Sequence, residues 1–130
     1  MTGNDEGDDR RRHERIEVDG ATFVVLRPDN TRVGQVMDIG LGGLAFRYMT
    51  GGEPWTGAAV LDLFVVGDDF YLDDLAFHTI WDFATGEVVP WASGTMRRRG
   101  VQFQNLTLPQ ESQLVHFMER QKGHFWTDTR

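Results

Sequence analysis

The chain has 130 residues, 40% hydrophobic and 25% charged, with no cysteine, a formal charge of −7 and a pI near 4.9. Those totals fit one soluble globular domain and exclude a disulfide, a thiolate nucleophile and a cysteine-based zinc site. They also argue against a membrane span, since no apolar run approaches the roughly 20 residues required, and against the broad basic face of a binder of long nucleic acid.

The start, MTGNDEGDD, is neither basic nor apolar enough for a secretion signal, so the expected location is the cytoplasm. Residues 1–9 read as a disordered acidic tail. RRRHER follows, placing Arg10, Arg11, Arg12 and Arg15 together in an otherwise acidic chain. From Ile16 onward, short apolar runs are cut by turn residues. Residues 21–26 end at the turn Arg27-Pro28-Asp29-Asn30, and a second run covers residues 32–38. After IGLGG, Leu44, Phe46 and Tyr48 alternate with Ala45 and Arg47. TGGEPWTG is a loop. Residues 58–66 and 70–81 form the next pair of runs around the turn GDD, with Leu75, Phe77, Thr79 and Trp81 expected on one face. Residues 87–89 make a short run, followed by SGTMRRR, Val101 and Phe103. About seven strands with hairpin-length connections predict an antiparallel barrel or sandwich.

The period then changes. Thr107 and Gln110 make a T-x-x-Q capping box, Pro109 suits a first helical turn, and Leu114, Val115 and Met118 supply an apolar stripe. A helix over residues 108–121 is expected to cover an open end of the barrel, with residues 123–130 as a tail. No internal repeat is present.

Enzymatic and metal chemistry find little to stand on. His13, His78, His116 and His124 lack metal-ligand spacing, and Asp68, Asp69, Asp73 and Asp74 do not match a calcium loop. There is no nucleophile elbow, phosphate-binding P-loop or dinucleotide glycine pattern, so a non-enzymatic role is expected. Two stretches remain. RRRHER is either a solvated basic segment or a set of planar donor forks suited to phosphate and guanine. DIGLGG, residues 38–43, is a hairpin corner whose glycines a turn explains and whose leading carboxylate it does not.

R-R-x-x-x-R followed by [DN]-x-[SA]-x-x-G after a strand resembles the bipartite signature of PilZ domains, bacterial receptors for cyclic di-GMP. The matching residues are Arg10, Arg11 and Arg15, then Asp38, Gly40 and Gly43; the late strand GVQFQNLT leading into a helix is similar too. Gly40 departs from the serine or alanine usual in the family. The resemblance implies an all-β fold with a C-terminal helix, a six- to seven-stranded antiparallel split barrel over residues 16–105 within a domain spanning 10–122, and an arginine arm at 10–15. It implies no cofactor, cyclic di-GMP as ligand, and signalling by an arm that orders over it. Asp38 would accept from guanine or hold an arginine, and Gly43 would let backbone approach the ligand. Trp81 is a candidate base platform or a core residue, and Arg97 to Arg99 face the same pocket or form a hairpin tip. A stand-alone receptor of this kind would pass its signal to a protein effector or through a homodimer, with no membrane and no long nucleic acid involved. The alternative is a PilZ-fold interaction module that binds no nucleotide, for which Gly40 speaks. A third possibility is a barrel that binds single-stranded nucleic acid.

Overall fold

The computed structural model describes residues 14–28, 32–88 and 93–129. Seven strands and one helix follow in chain order: β1 (Ile16–Glu17), β2 (Thr22–Arg27), β3 (Arg32–Ile39), β4 (Gly43–Thr50), β5 (Val60–Val65), β6 (Tyr71–Ala84), β7 (Thr95–Phe103) and α1 (Leu108–Thr129). All pairings are antiparallel. The order β3-β2-β5-β6-β7-β4 returns to β3 through the β3–β4 pairing, closing a six-stranded barrel, and β1 adds to β3. Closure removes sheet edges that would otherwise be open to pairing with other chains.

Alternation explains the interior. On β2, Thr22, Val24 and Leu26 are fully buried, and Leu44, Phe46 and Tyr48 do the same work on β4. Leu61, Leu63, Leu72, Leu75, Phe77, Val101 and Phe103 complete the barrel core. The opposite face carries cross-strand aromatic pairs, Phe23 on Phe64 at 5.9 Å and Phe64 on Tyr71 at 6.4 Å between ring centroids.

The capping box forms as expected: Gln110 N–H donates to Thr107 Oγ1 at 3.1 Å and Thr107 N–H to Gln110 Oε1 at 3.0 Å. Gln110 Nε2 also donates to the carbonyls of Asp73 and Asp74, tying the helix start to β6. The buried stripe is Leu114, Phe117 and Met118, with Val115 exposed instead of inside. Phe117 occupies the i+3 position below Leu114 and stacks on Phe70 at 4.7 Å, so the aromatic ring and not the smaller valine faces the barrel. The helix continues through Gly123 to Thr129; an interior glycine weakens a helix by about 1 kcal/mol without ending it.

Two strand expectations change. Residues 87–88 are not a strand: Gly86 has φ 81°, and Thr85 Oγ1 accepts from Glu87 N–H at 3.1 Å, so the chain turns away from the sheet. The segment SGTMRRR is not a hairpin tip, because β7 begins at Thr95 and runs through all three arginines.

Candidate functional site

Two β-bulges decide which side chains reach the outside of the barrel. On β3, Val36 pairs with Phe46 but Asp38 pairs with Ala45, so one residue, Met37, is extra. On β6, Thr79 pairs with Val101 and Trp81 with Gly100, so Ile80 is extra. With regular alternation Asp38 and Trp81 would share the inward face of Val36 and Phe77; each inserted residue switches the remainder of its strand to the other face. Thus Trp81 leaves the face of Leu75 and Phe77 on which the sequence pattern puts it. It is 39% exposed, lies against Gly100, and stacks on Phe83 at 5.3 Å.

The register then lays out one row across four adjacent strands: Asp38 on β3, Ala45 on β4, Gly100 on β7 and Trp81 on β6. At roughly 4.8 Å per strand, the backbone positions of Asp38 and Trp81 stand about 14 Å apart on the same outer face, and the indole reaches back over Gly100. A residue at 100 larger than glycine would collide with the indole, so Gly100 is what lets Trp81 lie flat on the barrel wall.

At the other end of the row, Arg15 Nε donates to Asp38 Oδ1 at 2.7 Å, and its Nη2 lies 2.6 Å from the same oxygen. Asp38 Oδ2 has no partner among the described residues. Gly40 N–H donates to the Gly43 carbonyl at 2.8 Å, which closes the corner after β3. A Cβ at Gly40 would run into the Glu14 carbonyl oxygen and lie 3.2 Å from Arg15 Cδ, so the absent side chain is the space in which residues 14 and 15 sit. A Cβ at Gly43 would collide with the Val101 carbonyl; that glycine is needed for the approach of β4 to β7. Arg10 and Arg11 lie outside the described residues.

Beside this corner is a cleft of about 310 Å³, lined among others by Glu17, Gln35, Asp38, Arg47 and Arg98. Gln35, Arg47, Arg98 and Phe83 form the neighbouring cross-strand row on the same face. Arg47 Nε donates to Gln35 Oε1 at 3.0 Å, and its Nη1 reaches Glu87 Oε2 at 3.4 Å.

The flanking arginines of β7 point the other way. Arg99 is 3% exposed and donates through Nε to Asp82 Oδ2 at 2.7 Å, while Arg97 Nε donates to Asp82 Oδ1 at 2.6 Å. Tyr48 O–H also donates to Asp82, and Arg99 Nη2 donates to the Trp55 carbonyl. Burial pushes the Asp82 carboxyl up, but the bonds from Tyr48, Arg99 and Arg97 outweigh it and hold the group below the ordinary carboxylate range. Burial pushes the Tyr48 hydroxyl up, and its bond to Asp82 adds to the effect. This network pins the loop after β4 by the Gly52 and Trp55 carbonyls.

Sequence reasoning missed Arg47 and did not single out Arg98 from Arg97 and Arg99. Their signal was parity: once Val101 and Phe103 face inward, Arg99 and Arg97 must face inward as well, and Arg98 and Gly100 outward. Among the described residues, no cluster of His, Asp or Glu is placed to hold a metal ion, and no helix is long and apolar enough to cross a membrane.

Comparison with known proteins bears on this geometry. No curated protein matches the sequence. The PilZ domain with c-di-GMP of YcgR from Escherichia coli superposes with a TM-score of 0.68 at 17% identity, covering 92% of this chain and 97% of that one. YcgR from Escherichia coli in complex with c-di-GMP gives a TM-score of 0.62 at 20% identity, covering 93% of this chain and 51% of that one. These likenesses establish the fold. The PilZ domain family profile matches residues 9–120, most of the sequence, and with the closed barrel, the terminal helix and the Arg15–Asp38 corner in place, the chain belongs to the PilZ domain family.

Proposed function

We propose that this domain is a receptor for cyclic di-GMP, bound on the outer barrel face between the Asp38 corner and Trp81. The observation that carries the reading is the shared row: a carboxylate already engaged by Arg15 at one end, a flat indole at the other, and the small residues Ala45 and Gly100 between them. The two similar solved structures contain c-di-GMP. A cleft of about 310 Å³ lies at the small end of ligand sites, roughly 300–1,000 Å³. A dinucleotide would therefore fill it with one part and extend over the row with the rest.

Each group has a chemical task. Cyclic di-GMP presents two phosphodiesters and two guanines, so it needs cations and matched edges. Arg15, with Arg10 and Arg11 ahead of it, supplies guanidinium forks for phosphate or for guanine O6 and N7. Asp38 accepts from guanine N–H groups through its unpartnered oxygen while Oδ1 steadies Arg15. Trp81 offers a face for base stacking. Gly40 contributes no hydroxyl. In return it admits the Glu14 backbone flush against the corner, bringing the arm to the ligand. Ordering of residues 10–15 over the ligand changes the surface seen by a protein effector or a second copy, which is the signalling step in the bacterial cytoplasm.

Isothermal titration of cyclic di-GMP into the full chain tests the reading. Heat at micromolar ligand in moderate salt is expected, and Arg15→Ala or Asp38→Ala should abolish it with the β-sheet circular dichroism unchanged. No heat from the unsubstituted chain would favour an interaction module instead.

A further inference from the structure

We propose that Arg98, with Arg47 beside it, forms a second anion subsite in the cleft and takes a phosphate of the bound dinucleotide. This rests on the reading of the cleft as a cyclic di-GMP site and adds a site to it.

The three consecutive arginines of β7 are treated differently by the fold. Arg97 and Arg99 share the Asp82 carboxylate, one oxygen each. The Arg98 side chain makes no ion pair or hydrogen bond among the described residues, and its Nε is buried without an acceptor. A buried charged donor left unsatisfied is costly, and folded proteins rarely retain one without a partner that arrives later. The acids of the same cleft do not serve it: Asp38 is engaged by Arg15, and Glu17 pairs with neither arginine.

Arg47 lies directly opposite Arg98 in the β4–β7 ladder, on the same face. Like charges facing each other across strands repel. Gln35 holds Arg47 from the side through Nε, and Glu87 reaches its Nη1 at 3.4 Å, which leaves Nη2 without a partner among the described residues. Two guanidinium groups side by side, one of them with no counter-ion among those residues, are matched by an anion with several acceptor oxygens. A phosphodiester has that chemistry. Arg15 holds Asp38, which lines the cleft together with Arg47 and Arg98, so the site offers a cation to each phosphate of the ligand.

The test is isothermal titration of cyclic di-GMP into the full chain, Arg98→Gln, Arg98→Lys and Arg47→Gln, each checked for an unchanged unfolding midpoint. Arg98→Gln should weaken binding by roughly 10- to 100-fold, the range for one hydrogen bond to a charged group. Arg98→Lys should recover most of that loss, because an ammonium still serves a phosphate, and Arg47→Gln should weaken binding as well. Should Arg98→Gln fail to fold, the lysine and Arg47 variants carry the same readout, near-normal affinity in the first with reduced affinity in the second. Full affinity in Arg98→Gln and Arg47→Gln, while the unsubstituted chain binds, overturns the subsite and leaves the receptor reading intact. An equal loss with lysine at 98 assigns the group to a guanine edge and overturns the phosphate role. Absence of binding by the unsubstituted chain overturns the receptor reading and the subsite with it.

Discussion

Asp82 accepts from Tyr48, Arg97 and Arg99 at once, so removing it strands buried positive charge. Asp82→Ala is expected to lower stability by about 3–5 kcal/mol, measured by denaturant unfolding. The pH dependence comes from the same bonds. The folded carboxyl titrates below its unfolded value near pH 4. The stabilisation is therefore complete above about pH 4 and is lost as pH falls through the lower folded value; in the Ala variant this part of the acid sensitivity disappears. The two site glycines should part company in the same assay. Gly43→Ala forces β4 from β7 and should cost about 1–3 kcal/mol, whereas Gly40→Ser displaces only residues 14 and 15 and should leave the midpoint nearly unchanged. Its effect belongs to the arm: tryptic cleavage after Arg15 should accelerate, because Arg15 loses its seat on Asp38.

At the level of elements, the bulges at Met37 and Ile80 separate what could be read in the sequence from what could not. Strand positions, the closing helix and its cap follow from alternation and from the residues Thr107 and Gln110, and the structure has them. The face on which Trp81 lies does not follow, because a period of two has no mark for one extra residue; a simple count puts the indole with Leu75 and Phe77. The short strand β1 is too brief to show as a pattern, and Glu87–Val88 resembles a strand until the Thr85 turn and Gly86 are considered. The two differences cancel in the number of strands and not in their identity. Deleting Ile80 should remove the bulge and leave Trp81 opposite Gly100 on the outer face, so cyclic di-GMP binding by titration should persist. Trp81→Ala, in contrast, should keep the midpoint and lose about 1–3 kcal/mol of affinity by titration.

On the scale of the whole molecule, charge is sorted by direction. The net value of −7 hides an outer face where Arg47 and Arg98 line one cleft with Arg15 at its Asp38 corner, while the inward arginines share the Asp82 carboxylate. A small dianion meets this local field, and a long polyanion meets the rest of an acidic surface. Affinity for cyclic di-GMP should fall as salt is raised, and a single-stranded oligonucleotide should bind more weakly at every salt concentration; titrations across ionic strength check both.

Closure of the barrel has a further effect on such a site. Asp38, Ala45, Gly100 and Trp81 come from four neighbouring staves, and the seam joining the first two is the one that completes the ring. No portion of the hoop can spring open at that seam and still present both ends of the platform, so capacity to hold a guest and integrity of the ring should vanish together in a single melting event.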